Sequence, residues 1–410
     1  MATKYITRLA ALAATLLCAA ACIYPFEVEL SHNGEWPLVV EGDILLGERS
    51  TVTLSHVRPF NADPNEFQTF TATGYIEAEN GSRIEGVSSP IYTLLSSSSS
   101  SYRSEAALSF DTTTLTGGQR YRLHLTTYDL GGHELNTYES DWLEPCPAPT
   151  IDGLNYSHHP EYDELWVGLS MHCNGSHYFR WTFDEDWEYH SDVYTNLEYK
   201  TDTRSVGYYE WGANNLYYCW KSAKSGQIDI FSTVNQTEDR FEELAFYRIP
   251  LDDKRLQVLY RITVHLEAIS ENAYNYWSNI KQSSEGQGSI FSPTPSQMAS
   301  NVRCISDPDV QVVGYLNLST RASAVMYYDN AVNHFYVQGR LYERDDHKVS
   351  NSRRDSLAYW YAHGYLPYDQ VYEDPAPTPS HSMWTPNYCI DCRMQGGTKK
   401  RPDDWPNGDF

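Results

Sequence analysis

Between Leu38 and Tyr138 apolar residues alternate with polar ones in short runs, separated by turn-forming residues. A two-residue period puts one face of each run in a core and the other in water, which is the signature of half-buried strands and rules out helix here. Seven runs carry it: "PLVVEGDI", "TVTLSHV", "TATGYIEAE", "IYTLL", "AALSF", "YRLHLTTY" and "HELNTY". In the sixth, Tyr121, Leu123, Leu125 and Thr127 share one face, and Arg122, His124 and Thr126 share the other. Seven short strands over roughly 100 residues is what an immunoglobulin-like sandwich requires. The serine run Ser96–Ser101 inside this region reads as an exposed loop.

The proline-rich "EPCPAPT", Glu144 to Thr150, marks a boundary. Alternation resumes in "LWVGLSMH", "YFRWTF", "YYCW", "GQIDIFS" and the long "LQVLYRITVHLEAI", as a second, fibronectin-like sandwich would need. Only "SENAYNYWSNIKQ" has helical spacing, with Ser270 as N-cap and Ala273, Trp277 and Ile280 on one face. "VVGYLNLS" and "ASAVMYY" read as a hairpin, and "HFYVQGRLYERDDH" as a strand ahead of an irregular tail. The expected fold is therefore all-β: a signal segment 1–21, an immunoglobulin-like sandwich 22–145, and a fibronectin-like sandwich 146–330 with a helix near 270–282. An irregular region 331–410 is expected to pack on the second sandwich.

Asp and Glu number 54 against 30 Lys and Arg, a formal charge of −24. Such a surface repels nucleic acid and anionic headgroups, so neither is an expected partner. Thirty-three tyrosines and eleven tryptophans suit strands and core, and exposed ones suit sugar or peptide ligands.

The first residues place Lys4 and Arg8 before an apolar run, Leu9 to Leu17, and small residues ending at Cys22. This is the layout of a secretory signal. The run is about half of the roughly 20 residues a spanning helix needs. Ala19–Ala21 leading directly into cysteine resembles a bacterial lipobox, which makes Cys22 the expected lipidated first residue; a plain secreted protein is the alternative. An acylated Cys22 would tether the chain to a membrane without spanning it.

No nucleophile elbow, metalloprotease pair, phosphate loop or dinucleotide fingerprint occurs, so no cofactor or metal is expected. "FDEDWEYHSD" offers Asp184, Glu185, Asp186, His190 and Asp192 as oxygen-rich ligands, but without a calcium-loop spacing it reads as an acidic strand edge or loop. His158 and His159, adjacent and before Pro160, read as solvated loop residues. Asp111-Thr112-Thr113 and Asp355-Ser356-Leu357 have the form of a short O-glycosylation motif. Gly396 and Gly397, beside Lys399, Lys400 and Arg401, read as a tight turn with exposed charges.

Beyond Cys18 and Cys22 stand Cys146, Cys173, Cys219, Cys304, Cys389 and Cys392. An even number in an exported chain implies disulfides, with fifteen possible pairings. The expectation is that Cys389 or Cys392 reaches back to Cys219 or Cys304 and pins the tail to a sandwich. Zinc at the CxxC, with His381 nearby, ranks below this, and a redox role lower still.

Taken together, "LVVEGDILLGERSTVTLSHV", "RITVHLEAISENAYNYWSNI", "IFSPTPSQMASNV", "DPDVQVVGYLNLST" and "CIDCRMQGGTKKRPDDW" resemble an uncharacterised family of Bacteroidetes-type outer-membrane lipoproteins, usually encoded beside a TonB-dependent receptor. The resemblance implies location and partnership: a lipid-anchored outer-membrane protein, facing the periplasm or the cell surface, that helps a TonB-dependent transporter capture a nutrient without catalysis. It supplies no catalytic residues. A surface hydrolase of glycans or peptides, and a structural or adhesive component, are the alternative expectations.

Overall fold

The strands Leu38–Leu45 (β1), Arg49–His56 (β2), Thr71–Ala78 (β3), Arg83–Glu85 (β4), Val87–Leu94 (β5), Tyr102–Asp111 (β6), Tyr121–Tyr128 (β7) and Glu134–Ser140 (β8) realise all seven alternating runs and add the short β4. This is seen in a computed structural model, which describes residues 36–57, 70–94, 102–209, 215–285, 300–333, 344–375 and 377–406. Cys22, the serine run and most of "HFYVQGRLYERDDH" lie outside the described residues.

One sheet has the order β1-β2-β6-β5 and the facing sheet β8-β7-β3-β4. With strands lettered in chain order these are the two layers, ABED and GFCC′, of an immunoglobulin-like sandwich. The alternation predicts which side faces in: Tyr121, Leu123, Leu125 and Thr127 are at most 3% exposed. They meet Val40, Val52, Leu54, Leu108 and Phe110 from the other layer. Tyr121 opens β7, and its hydroxyl donates to the carbonyl of Thr116 at 2.8 Å while accepting from the Thr116 amide. That is a tyrosine corner, which ties the incoming loop to the strand.

The second sandwich uses Thr150–His159 (β9), Glu164–His172 (β10), Tyr178–His190 (β11), Tyr218–Lys224 (β14), Asp229–Ser232 (β15), Arg240–Pro250 (β16) and Leu259–Ala268 (β17). A short hairpin, Leu197–Lys200 (β12) and Ser205–Tyr208 (β13), is inserted after β11. The layer β16-β10-β9 faces β14-β11-β17. Leu165, Val167 and Ile249 from the first layer pack on Phe183, Trp187, Tyr260, Ile262 and Val264 from the second.

The chain then returns to the first sandwich. After the helix Glu271–Glu285, whose first turn is capped by the Ser270 hydroxyl, Val302–Cys304 (β18) joins the edge of β8 and Val312–Val313 (β19) runs parallel to β1. The expected hairpin is instead one strand, Leu316–Asp329 (β20). Its first residues pair in parallel with Gly42–Leu45, and Thr320–Asp329 pair antiparallel with β17. Both sandwiches thus share a ten-stranded sheet, and residues 302–319, placed by sequence order with the second sandwich, hydrogen-bond into the first. Gly314 lets the chain cross β1 closely: its φ is +95°, and any Cβ there would overlap the Val40 carbonyl.

The C-terminal region is more regular than its sequence suggests. His347–Ser350 (β21), Tyr365–Val371 (β22) and His381–Pro386 (β23) form a sheet in the order β21-β23-β22, with a helix Arg354–Ala362. Val349, Leu357 and the fully buried Trp384 form its core, and Tyr199 and Val206 of the inserted hairpin pack against them. The pattern there is hard to read because strands of four to seven residues hold few alternations.

Candidate functional site

The closing stretch folds back onto the edge of the second sandwich. After β23, a helical turn Asn387–Ile390 leads into a 3-10 turn Cys392–Gln395. Asp391 caps that turn, accepting from the Arg393 amide and clamping its guanidinium at 2.7 Å. Cys392 is disulfide-bonded to Cys219 in β14, with Cα atoms 5.8 Å apart. The Tyr189 hydroxyl donates to the Cys392 carbonyl, and Thr398 exchanges backbone hydrogen bonds with Trp220. Gly396 is in the left-handed region. A Cβ on Gly397 would overlap the Tyr189 hydroxyl and lie 2.7 Å from the Cys219 Cβ. The double glycine is thus what lets the tail lie flat on the disulfide.

Of the six candidate disulfide cysteines, Cys219 and Cys392 are joined, while Cys146, Cys173, Cys304 and Cys389 are thiols. Cys304 and Cys389 are built into two separate apolar clusters, and Cys146 packs against a third, which holds Cys173, without bonding to it. Burial raises the thiol pKa of Cys146, Cys173 and Cys389, which keeps them protonated and unreactive. Cys389 faces Val193 and Ile390 while Cys392 faces Cys219, so the CxxC residues point into different surroundings. His381 contacts Ser380 and Glu373.

Beside the disulfide is a cavity of about 510 Å³. Its walls come from the hairpin, β14, the helix Arg354–Ala362 and the tail: Tyr199, Tyr209, Tyr218, Trp220 and Tyr361 supply rings, and Arg393 and Lys399 supply cations. Burial raises the pKa of Tyr209 and Tyr218, so both hydroxyls stay neutral donors. The Lys399 ammonium contacts the Tyr218 carbonyl and the Cys392 sulfur, and burial pushes its pKa down to about 8. These residues come from separate segments, so no local motif announces them; the one signal was "YYCW" against "CRMQGGTKK", aromatic on one side and basic on the other.

A second cleft, about 670 Å³, lies at the junction of the sandwiches. The long helix lines it with Asn272, Asn275, Tyr276 and Asn279, and Trp142 and Tyr315 face them. Tyr276 stacks on Tyr315 at 4.9 Å, and Arg122 lies over the Trp142 ring at 4.6 Å. Amides and ring faces equip it for hydrogen bonding and stacking.

The other sequence candidates disperse. Asp184 and Asp186 lie on one face of β11 and pair with Lys224 and Arg261, whereas Glu185 points inward to the Tyr260 hydroxyl at 2.7 Å and to Arg255 at 2.8 Å. Asp192 holds Lys254 at 2.6 Å, and the His190 ring stacks on Tyr217. The acidic run is therefore a strand in which Asp184, Glu185 and Asp186 are charge-paired, while the buried Glu188 accepts from the Trp405 indole and burial raises its pKa. His158 and His159 end β9 rather than a loop and diverge: His158 packs edge-on to Tyr328, and His159 stacks on Trp166 at 4.0 Å. Thr112 is fully buried with its hydroxyl held by Ser50 and Glu48, which closes that glycosylation motif to an enzyme; Ser356 is half-buried. Among the described residues no group of three His, Cys, Asp or Glu side chains is placed to hold a metal, and no helix is long and apolar enough to cross a membrane.

Residues 23–324, about three quarters of the chain, match the family described as a domain of unknown function, DUF4249. The chain belongs to this family. The DUF4249 match ends inside β20, so it takes in both sandwiches and leaves the C-terminal sheet, the CxxC stretch and most of the tail-side cavity wall beyond it. The closing CIDC stretch quoted for the resemblance lies outside the matched residues. No curated protein matches the chain.

Proposed function

We propose that this DUF4249 protein is a lipid-anchored outer-membrane accessory protein, held through Cys22, that captures a nutrient for a TonB-dependent transporter. The observation that carries the reading is the pair of ring-lined clefts on a rigid double sandwich, each built from several elements and each offering stacking surfaces and neutral or cationic hydrogen-bond donors. A scaffold of this kind holds a ligand without needing a reactive group. The family match begins at Ile23, directly after the expected lipidation site, which supports Cys22 as the first residue of the anchored chain.

The test is isolation of the native protein from outer membranes. Mass spectrometry of the N-terminal peptide should show an acylated Cys22, and Cys22→Ala should release the protein to the soluble fraction. Gentle solubilisation should co-isolate a TonB-dependent transporter. An unmodified Cys22 together with no transporter in repeated isolations ends the proposal.

A further inference from the structure

We infer that the cavity beside the Cys219–Cys392 disulfide binds a small ring-bearing carboxylate, with the Lys399 ammonium taking the carboxylate and the tyrosine rings taking the ring. The inference rests on the capture reading only for the use made of the ligand. The site itself stands on its own chemistry.

Charge is the first argument. In a chain of net charge −24, this cavity gathers Arg393 and Lys399 against Glu198 alone. Glu198 is paired with Lys200 at 3.6 Å, and Arg393 is clamped by Asp391. Lys399 is left with two neutral contacts, the Tyr218 carbonyl and the Cys392 sulfur, and among the described residues no carboxylate lies in ion-pair range of it. An ammonium has three donors, and a sulfur is a weak acceptor. Lys399 therefore has donor capacity and charge unspent at the cavity wall. Burial outweighs the attraction of Asp391 and lowers the Lys399 pKa, and an anion bound in contact with the ammonium would restore its charged form.

Shape is the second. Tyr199 and Tyr361 lie 4.8 Å apart between centroids, and Tyr361 is 42% exposed, so a ring face is open to the cavity. Arg401 lies over Trp220 at 5.3 Å, adding positive charge to that wall. Flat faces with phenol hydroxyls at their edges suit a ring carrying hydroxyl groups, and about 510 Å³ accommodates one or two six-membered rings. The walls are also fixed in advance: the disulfide joins the residue between Tyr218 and Trp220 to the residue before Arg393, so little ordering is left to binding.

Two sources could supply this chemistry, a sugar acid or an aromatic acid. Calorimetry on the full mature chain in detergent would use digalacturonate, its methyl ester, 4-hydroxybenzoate and its methyl ester. The inference expects one acid to bind and its ester to bind at least ten-fold more weakly, with the sugar and aryl arms identifying the source. Lys399→Met should reduce acid binding to the level of the ester, Tyr361→Ala should weaken acid and ester alike, and Lys400→Met should change nothing. All three variants alter exposed side chains, and an intact Cys219–Cys392 bond confirms that they are folded. Equal binding of acid and ester, no binding of either acid, or full affinity in Lys399→Met overturns the inference. Ligand binding without any transporter at the membrane would leave this site standing and remove only its use in uptake.

Discussion

Arg180 donates to Asp43 at 2.7 Å across the seam between the two sandwiches. Arg180 lies on β11 and Asp43 on β1, and between them Glu267 accepts from Arg180 and from Arg321, each at 2.5 Å. Burial opposes the charge on Arg180, but Asp43 and Glu267 outweigh it and raise its pKa. Arg180→Met leaves Glu267, 1% exposed, with Arg321 as its remaining partner. Breaking such a buried group should cost about 3 kcal/mol, whereas Asp43→Asn, at a partly exposed carboxylate, should cost about 1 kcal/mol or less. Urea unfolding of the two variants checks the ordering; equal small losses would show that the seam is held by the β1–β20 ladder alone.

The Cys219–Cys392 bond closes a loop across 173 residues and fixes the tail to β14. Bridges over long loops contribute about 2–4 kcal/mol, mainly by restricting the unfolded chain. Cys392→Ser should lower stability by that amount and expose the segment after Pro386 to limited proteolysis while both sandwiches stay protected. Cleavage at the same rate as in the unaltered protein would show that Trp384 and its neighbours hold the region unaided.

The sandwiches were legible in the sequence because their strands are long enough to repeat the alternation, as Tyr121 to Thr127 and Val258 to Leu266 do. A tail-to-body disulfide could be anticipated from the secretory-signal layout and the even cysteine number, although spacing left Cys219 and Cys304 as equals. Cys304 lost because β18 carries it into the first sandwich, and that return is a long-range pairing with no local signature. The same reason hid the shared β20: the turn expected near Thr320 and Arg321 is not made, because the two halves pair with β1 and β17, both distant in sequence. The cavity walls were out of reach because Tyr199, Tyr218, Tyr361 and Lys399 converge only after the C-terminal sheet has docked.

Tyr121→Phe tests the tyrosine corner. The ring stays in place, but the Thr116 carbonyl and amide lose their shared partner. A loss of about 1 kcal/mol is expected, confined to the first sandwich. Hydrogen exchange should show faster opening of the loop before β7 and unchanged protection of β17.

The two glycines of the tail should respond differently to alanine. Gly396 has open space apart from the flexible Lys221 side chain but sits at φ +85°, so Gly396→Ala should cost about 1 kcal/mol of backbone strain. Gly397→Ala drives a methyl into the Tyr189 hydroxyl and the Cys219 Cβ, neither of which can move without disturbing the disulfide. Overpacking of this kind costs about 1–3 kcal/mol, and it should also slow formation of the Cys219–Cys392 bond during oxidative refolding. Thiol counting over the refolding course separates the two variants, with Gly396→Ala following the unaltered protein.

On the outer face of the first sandwich, Glu77 accepts from Arg122 at 2.7 Å, from His124 at 3.0 Å and from Arg83 at 3.1 Å. The Arg122 hydrogen bond is the main cause that holds its pKa down at about 2, against 4.5 for a free glutamate. A depressed carboxylate favours the folded state above the unfolded pKa, and that contribution is lost as pH falls through the folded one. The unaltered protein should therefore be more stable than Glu77→Gln above pH 4.5, by roughly 1 kcal/mol given the exposure of Arg83, and the two should converge as pH approaches 2. Parallel unfolding curves from pH 7 to pH 2 measure it, and a stability gap that persists unchanged to pH 2 would show that Glu77 acts through packing rather than charge.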